Sequence, residues 1–283
     1  MSGLTFRKRA EPDQRLDLSI LTPGHLAKLD LSEIAALPIG TTKQLVTVGD
    51  IFALSGNDPA MIRLEGGSER FDRIGEAMDG GAIHVEGDAG CRVGRLMRGG
   101  RLTVTGSVGG LAGSGMSGGF LSIGGDTGDF LGGPMAGEMV GMRGGAIRVG
   151  GSAGPRAADR MRRGTIVVDG TVGEQAGSRM IAGTLVVGGL ARGAPGRLMK
   201  RGTLILCGGA ERLAPTFLDN GPADLLILKL MAEEFAAGDV GPVPFDGAPM
   251  RRIGGDTAVL GKGEIFLPLD LGNGRLVGPA SAG

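Results

Sequence analysis

The residues best suited to bind a charged ligand form one column of basic side chains. Each of them directly follows a methionine, and they are Arg98, Arg143, Arg162 and Lys200. Guanidinium and ammonium groups bind carboxylates and phosphates through charge-assisted hydrogen bonds, so this column could receive an anionic ligand or an acidic partner. A charged column is also the ordinary appearance of a solvated face, and the sequence leaves both interpretations open. For a ligand site, the candidate residues are Arg143, Arg162 and Lys200.

Residues suited to catalysis or metal binding are sparse. The only histidines are His25 and His84, and the only cysteines are Cys91 and Cys207. No Cys-x-x-Cys, His-x-x-x-His or His-Glu-x-x-His motif is present, so no metal site is predicted. A G-x-G-x-x-G match begins at Gly113, but this match carries little information in so glycine-rich a chain. We therefore predict no catalytic residue, and a stand-alone enzyme is the weaker alternative.

A strict repeat, marked by methionines, must position these residues. The methionines are Met78, Met97, Met116, Met135, Met142, Met161, Met180 and Met199. They recur every 19 residues, apart from one interval of seven residues between Met135 and Met142. A fixed period of about 20 residues is typical of a solenoid, in which similar turns of chain stack on one another. Insertions in solenoids form loops on one face, often the binding face, so this interval marks a candidate contact region.

Two aliphatic columns between glycines define the repeating element. In the turn that contains Met78, these positions are Gly81, Ile83, Val85 and Gly87. Aliphatic residues two apart between glycines predict a short strand between tight corners, because alternate side chains of a strand share one face. We predict an all-β solenoid of about eight 19-residue coils with parallel strands, and we expect the methionines to fill its core.

The repeat divides the chain into three predicted regions. They are an N-terminal cap over residues 1–60, glycine-rich coils over 61–218, and a C-terminal helix and tail over 219–283. The capping-box pattern from Asp30 to Glu33 predicts a short helix that ends at Leu37. A second helix is expected to begin at Pro222, and a strand is expected at 264–267. Both end regions are expected to cover strand edges that an open solenoid would expose.

The middle residue of each predicted strand points away from the core. This outward column is polar at His84 and becomes apolar late in the stack, at Val167, Val186 and Ile205. Neighbouring apolar side chains on an outer face form a patch, and such patches commonly mark protein contacts. We therefore predict an interface at Val167, Val186 and Ile205. The alternative is that a loop or terminal segment of the same chain covers them.

Composition narrows the class of protein. The chain has 30 basic and 30 acidic residues, so neither nucleic acid nor a membrane surface is an expected partner. Glycine supplies 58 of 283 residues without the three-residue period of collagen. The two cysteines occupy different positions in their repeats, which predicts free thiols and a reducing compartment. No secretory signal or apolar stretch of about 20 residues is visible, so a cytoplasmic location is expected.

The ordered combination of coils, insertion and end segment resembles a known family. The resemblance is carried by GRLMRGGRLTVTG (94–106), PMAGEMVGMRGGAIRVGG (134–151), RMRRGTIVVDG (160–170), RMIAGTLVVGG (179–189) and APTFLDN (214–220). These segments are similar to the C subunit of formylmethanofuran dehydrogenase, and more so to the C subunit of the bacterial formyltransferase/hydrolase complex of methylotrophs. The C-terminal β-helix of the glutamate synthase large subunit shares this type of repeat and is an alternative.

The resemblance implies a right-handed parallel β-helix that serves as a non-catalytic scaffold. Its partners would be hydrolase and formyltransferase subunits. They would pass a formyl group from tetrahydromethanopterin through a methanofuran-like carrier to formate, in the formaldehyde oxidation of one-carbon metabolism. The resemblance implies no cofactor in this chain and a metal in another subunit. A second alternative is the C subunit of a tungsten or molybdenum formylmethanofuran dehydrogenase. Because the family's carrier has an acidic, glutamate-based tail, Arg143, Arg162 and Lys200 become candidate residues for binding that tail.

Overall fold

The structure, a computed structural model, describes residues 3–40 and 45–269. The strands are β1 (Gly3–Lys8), β2 (Leu16–Asp17), β3 (Phe52–Ser55), β4 (Asp58–Glu65), β5 (Phe71–Asp72), β6 (Ala82–Glu86), β7 (Arg101–Val104), β8 (Ser117–Ile123), β9 (Arg143–Val149), β10 (Arg163–Val168), β11 (Thr184–Val187), β12 (Arg201–Leu206), β13 (Leu218–Ala223), β14 (Met250–Gly254) and β15 (Lys262–Pro268). The helices are α1 (Pro23–Leu26), α2 (Leu31–Ala35), α3 (Val48–Ile51) and α4 (Leu226–Ala237). The chain is mostly β, as predicted.

A 13-stranded, mostly parallel sheet organises the chain. Its order is β13-β14-β15-β12-β11-β10-β9-β8-β7-β6-β4-β1-β3. From β4 to β12 neighbouring strands run parallel, and equivalent repeat positions pair, as Ile83 does with Leu102 and Leu102 with Leu121. Similar aliphatic residues therefore stack on one another, which is why the repeat is so regular.

Each turn of chain also meets the next at a second place. A ladder of single parallel bridges joins Ser68, Ala89, Val108, Thr127, Ala153, Val172, Ala191 and Ala210 in order. Stacking at two places per turn gives the solenoid-like arrangement that the period predicts.

The core between these two ladders is filled by aliphatic and methionine side chains. Met97, Met161 and Met180 are fully buried, as are the two aliphatic columns. Met135 is the exception to the prediction, because it is only half buried and lies in the insertion, while Met142 takes the core position. The glycine columns are sterically required: a Cβ on Gly164, whose φ is 96°, would lie 2.6 Å from the Gly145 carbonyl oxygen.

The N-terminal region extends the sheet and closes one end of the stack. Strand β1 pairs in parallel with β4 and antiparallel with β3. Phe6, Phe52 and Phe71 are buried beside one another, with ring centroids 5.8 and 5.3 Å apart. The predicted capping box is confirmed, since Asp30 caps α2, although the helix ends at Ala35 rather than Leu37.

The C-terminal region closes the other end. Strand β15 pairs in parallel with β12 and contains the strand predicted at 264–267, while β14 and β13 follow antiparallel. The predicted helix start at Pro222 is wrong, because Pro222 lies in β13 opposite Arg251 and the helix begins at Leu226. Strand β13 is the sheet edge, where a proline costs no ladder hydrogen bond. Residues 270–283 of the predicted tail lie outside the described residues.

Candidate functional site

The predicted apolar interface is not exposed. Val167, Val186 and Ile205 are fully buried, and they share a hydrophobic cluster with Leu228 of α4 and Val240 after it. The residues do point outward from the coils, but the C-terminal segment of the same chain covers them. The alternative, that a terminal segment of the same chain covers this column, is therefore confirmed, and the predicted exposure of Val167, Val186 and Ile205 is corrected.

Arg148 holds this cover in place. It lies on the same outward column, and its Nη1 donates to the carbonyl oxygens of Val240 and Pro242, at 2.6 Å each. Its Nη2 also lies 3.0 Å from both carboxylate oxygens of Asp169. A second ion pair joins Arg101 to Asp239 in the same segment. The sequence placed Arg148 in the column but gave no sign of this clamping role.

The basic column has the geometry that the repeat predicts. The backbone N–H groups of Arg143, Arg162 and Lys200 each donate to a methionine carbonyl of the preceding turn, at 2.7, 2.8 and 2.8 Å. All three side chains are exposed. Arg143 and Arg162 lie on adjacent turns, about 4.8 Å apart along the stack, and Ile181 separates Arg162 from Lys200. The structure thus brings the first two residues together and sets Lys200 two turns away.

Further unpaired cations widen the column into a surface that we call the basic ridge. The ridge consists of Arg98, Arg143, Arg162, Arg163, Lys200, Arg201 and Lys262, all of them exposed. Arg163 pairs across the sheet with Arg143, and Lys262 pairs with Arg201. Within residues 3–40 and 45–269, no ridge side chain makes an ion pair or hydrogen bond. Unpaired like charges at this spacing repel one another, so an anion along the ridge would relieve the repulsion.

Hydrogen bonds and an ion pair hold the seven-residue insertion next to the basic ridge. The Glu138 carboxylate accepts from Arg95 at 2.6 Å and from the Met135 backbone N–H at 3.1 Å. Arg160 donates to the Glu138 carbonyl oxygen at 3.2 Å. Arg160 precedes a core methionine and Arg162 follows it, so the insertion and the ridge adjoin. The insertion that the sequence marks as a candidate contact region thus lies next to the basic ridge.

A cavity of about 410 Å³ lies between the insertion and the coils. Asp159 is buried in its wall and accepts from Arg179 at 3.1 and 2.7 Å. Burial raises the pKa of the Asp159 carboxyl, while the guanidinium charges of Arg156 and Arg160 oppose that rise. Asp159 lies two residues before a core methionine, and nothing in its sequence context indicated burial.

The described residues offer little for metal or acid–base chemistry. No group of three or more His, Cys, Asp or Glu side chains that could hold a metal ion occurs among them. His84 borders an open cavity of about 520 Å³ on the outward face of the sheet, with Arg63 and Thr103. Cys91 and Cys207 are both free, as predicted. No helix within residues 3–40 and 45–269 is long and apolar enough to span a membrane.

Comparison with known proteins identifies the family. Over 88 residues, 31% of this chain, the sequence is 43% identical to the C subunit of the formyltransferase/hydrolase complex Fhc of Methylorubrum extorquens. One chain of the X-ray crystal structure of the formyltransferase/hydrolase complex (FhcABCD) from that organism, in complex with methylofuran, matches with a TM-score of 0.87 and 42% identity. The match covers 93% of this chain and 99% of that chain. The chain belongs to the family of Fhc C subunits.

The same family extends to formylmethanofuran dehydrogenases. The chain is 36% identical over 83 residues to the C subunit of the molybdenum-containing formylmethanofuran dehydrogenase 1 of Methanosarcina barkeri. In the two sequence alignments, the aligned segments span 33% and 28% of the named subunits, so at the level of sequence the chain matches about a third of their lengths. No family model matches the sequence.

Proposed function

We propose that the chain is a non-catalytic scaffold subunit of a formyltransferase/hydrolase complex that carries formyl groups to formate. The observation that carries this proposal is the match to one chain of FhcABCD over 93% of this chain at 42% identity. Because the match covers 93% of this chain, almost all of its fold is shared with that chain of FhcABCD. The catalytic work would belong to hydrolase and formyltransferase subunits, which would use tetrahydromethanopterin and a metal.

The architecture supports a scaffold role. Stacked turns with closed ends form a rigid rod, since each turn is bonded to its neighbours at two places. We infer that the rod is a right-handed parallel β-helix of about eight 19-residue coils. In this proposal residues 1–60 and 219–283 are end regions and residues 61–218 are the coils.

Purification from cells tests this function. The full-length chain carries an affinity tag, is isolated from the cells that make it, and its partners are identified by mass spectrometry. We expect formyltransferase and hydrolase subunits in fixed ratio, and formate release only from the complex. Formate release by the separately expressed chain, or isolation without partners, would contradict the proposal.

We further propose that the basic ridge holds an acidic group of the formyl carrier. The crystal structure of FhcABCD contains methylofuran. The support from this chain is the ridge itself, because its exposed cations lack carboxylate partners within the described residues. A chain of carboxylates could follow the ridge from turn to turn, with Arg143 and Arg162 nearest each other.

Charge reversal separates carrier binding from assembly. The double variant Arg162→Glu/Lys200→Glu should lower the affinity of the assembled complex for methylofuran about tenfold or more, while the same subunits assemble in the same ratio. The matched control is Lys28→Glu/Arg192→Glu, which changes net charge equally at exposed cations away from the ridge. Equal affinity of the two doubles would refute the ridge as the binding site.

The alternative is the C subunit of a molybdenum or tungsten formylmethanofuran dehydrogenase. The relative from M. barkeri supports it with 36% identity over a short segment, and the comparisons favour the formyltransferase/hydrolase assignment. Metal analysis of the isolated complex distinguishes the two, because only the dehydrogenase would contain molybdenum or tungsten.

A further inference from the structure

Helix α4 presents a second apolar face on the side away from the coils. Its inner face, with Leu228, Met231 and Phe235, belongs to the cluster that covers the apolar column of the coils. The outer face exposes three large aliphatic side chains, namely Leu226 at 68%, Ile227 at 55% and Leu230 at 50%. Residues three and four apart are neighbours on a helix, so these side chains form one patch. Nothing in the described part of the chain covers it.

The charges beside this patch are unfavourable for the helix alone. Glu233 and Glu234 are exposed in the second half of α4, and its last turn contains no basic residue. A helix C-terminus carries partial negative charge, so carboxylates are disfavoured there and cations are favoured. Among the described residues, neither carboxylate makes an ion pair. A basic group from outside the described residues would supply the missing charge.

We propose that the outer face of α4 docks another subunit of the complex. The partner's groove would be apolar where it meets Leu226, Ile227 and Leu230, and would carry lysine or arginine where it meets Glu233 and Glu234. This inference rests on the proposed function, because it requires a complex. The expected contact surface therefore moves from the apolar column of the coils to α4. The inner side of α4 packs on that column, and its outer side would contact the partner.

A second copy of the chain does not fit this face. In an antiparallel pair of α4 helices the acidic half of one would oppose the apolar half of the other. In a parallel pair the carboxylates would oppose each other. The only cation on α4, Lys229, already pairs with Asp224 at 3.3 Å. The charge pattern therefore selects a partner with its own basic residues.

Co-purification of tagged variants from cells that make all subunits tests the surface. Leu226→Asp/Leu230→Asp should reduce recovery of partner subunits about tenfold or more, because charges at the centre of an apolar contact stay unpaired. Glu233→Lys/Glu234→Lys should also weaken recovery while leaving the isolated chain equally or more heat-stable, since lysine suits a helix C-terminus. The control is Leu45→Asp, an aliphatic side chain that is 83% exposed elsewhere.

The outcomes separate this inference from the proposed function. If the wild-type chain recovers no partner, the proposed function fails. If the wild type recovers partners and both α4 doubles recover equal amounts, the docking surface is wrong. A dimer of the isolated chain that the Leu226→Asp/Leu230→Asp variant abolishes would also overturn the inference, in favour of self-association.

Discussion

The apolar column of Val167, Val186 and Ile205, which the C-terminal segment covers, gives the sharpest stability prediction. Val186 is fully buried between the coils and the C-terminal segment, so Val186→Ala removes two methyl groups from a packed site. The transfer contribution is about 1.6 kcal/mol, at about 0.8 kcal/mol per buried carbon. Incomplete closure of the space left behind adds up to about 1 kcal/mol. The isolated chain should therefore lose about 1.6–2.6 kcal/mol in its free energy of unfolding.

Urea unfolding of the isolated chain measures this loss, with Thr103→Ala as the matched control. Thr103 occupies the same outward column on a part of the sheet that the C-terminal segment leaves open. Its substitution should cost no more than about 0.5 kcal/mol. The double variant Val186→Ala/Leu228→Ala should show a coupling of about 0.5 kcal/mol or more if the two pack together. Equal, small losses for Val186→Ala and Thr103→Ala would refute intramolecular cover.

Two further predictions concern the glycine columns and a covered thiol. Gly164→Ala should destabilise the chain by about 2 kcal/mol or more beyond Gly137→Ala in thermal unfolding. Both glycines have positive φ, but a Cβ at position 164 would lie 2.6 Å from the Gly145 carbonyl oxygen, whereas a Cβ at position 137 would have no atom within 4 Å. Equal losses of stability in the two variants would contradict the close approach of neighbouring turns at Gly164. Burial raises the pKa of the Cys207 thiol from 9.0 to about 12, so at pH 8 iodoacetamide should label it about a thousandfold more slowly in the native chain than after unfolding. Because the pKa of the thiol is higher in the folded chain than in the unfolded chain, ionisation of Cys207 leaves the free energy of unfolding unchanged below about pH 9 and lowers it as the pH rises towards 12. Rapid labelling of the native chain at pH 8 would show that the C-terminal segment does not cover Cys207.

The sequence predicted the coils more completely than the ends, for a physical reason. In the coils each residue contacts its own equivalent in the next turn, so periodicity in the sequence reports contacts in space. Met135 is the exception: it falls on the 19-residue period, but it lies in the inserted loop and not in the core. The ends have no period, and only local signals such as the Asp30 cap could be interpreted.

The same limit explains why the sequence left open what covers the apolar column at Val167, Val186 and Ile205. Its outward direction followed from the alternation of strand residues, but its cover comes from residues far away in the sequence. The sequence predicted a helix in the C-terminal region but did not indicate which surface that helix would cover. The basic ridge was predictable in part, since Arg143 and Arg162 stack by period, whereas Lys262 joins it only through the pairing of β15 with β12.

The most direct test of the scaffold assignment is reconstitution with and without this chain. The formyltransferase and hydrolase subunits are purified together with the chain or with the chain gene deleted, and both the mass of the assembly and formate release are measured. We expect the full complex and its activity only when the chain is present, and no activity from the chain alone. An assembly of otherwise unchanged make-up and unchanged activity without the chain would contradict the scaffold role.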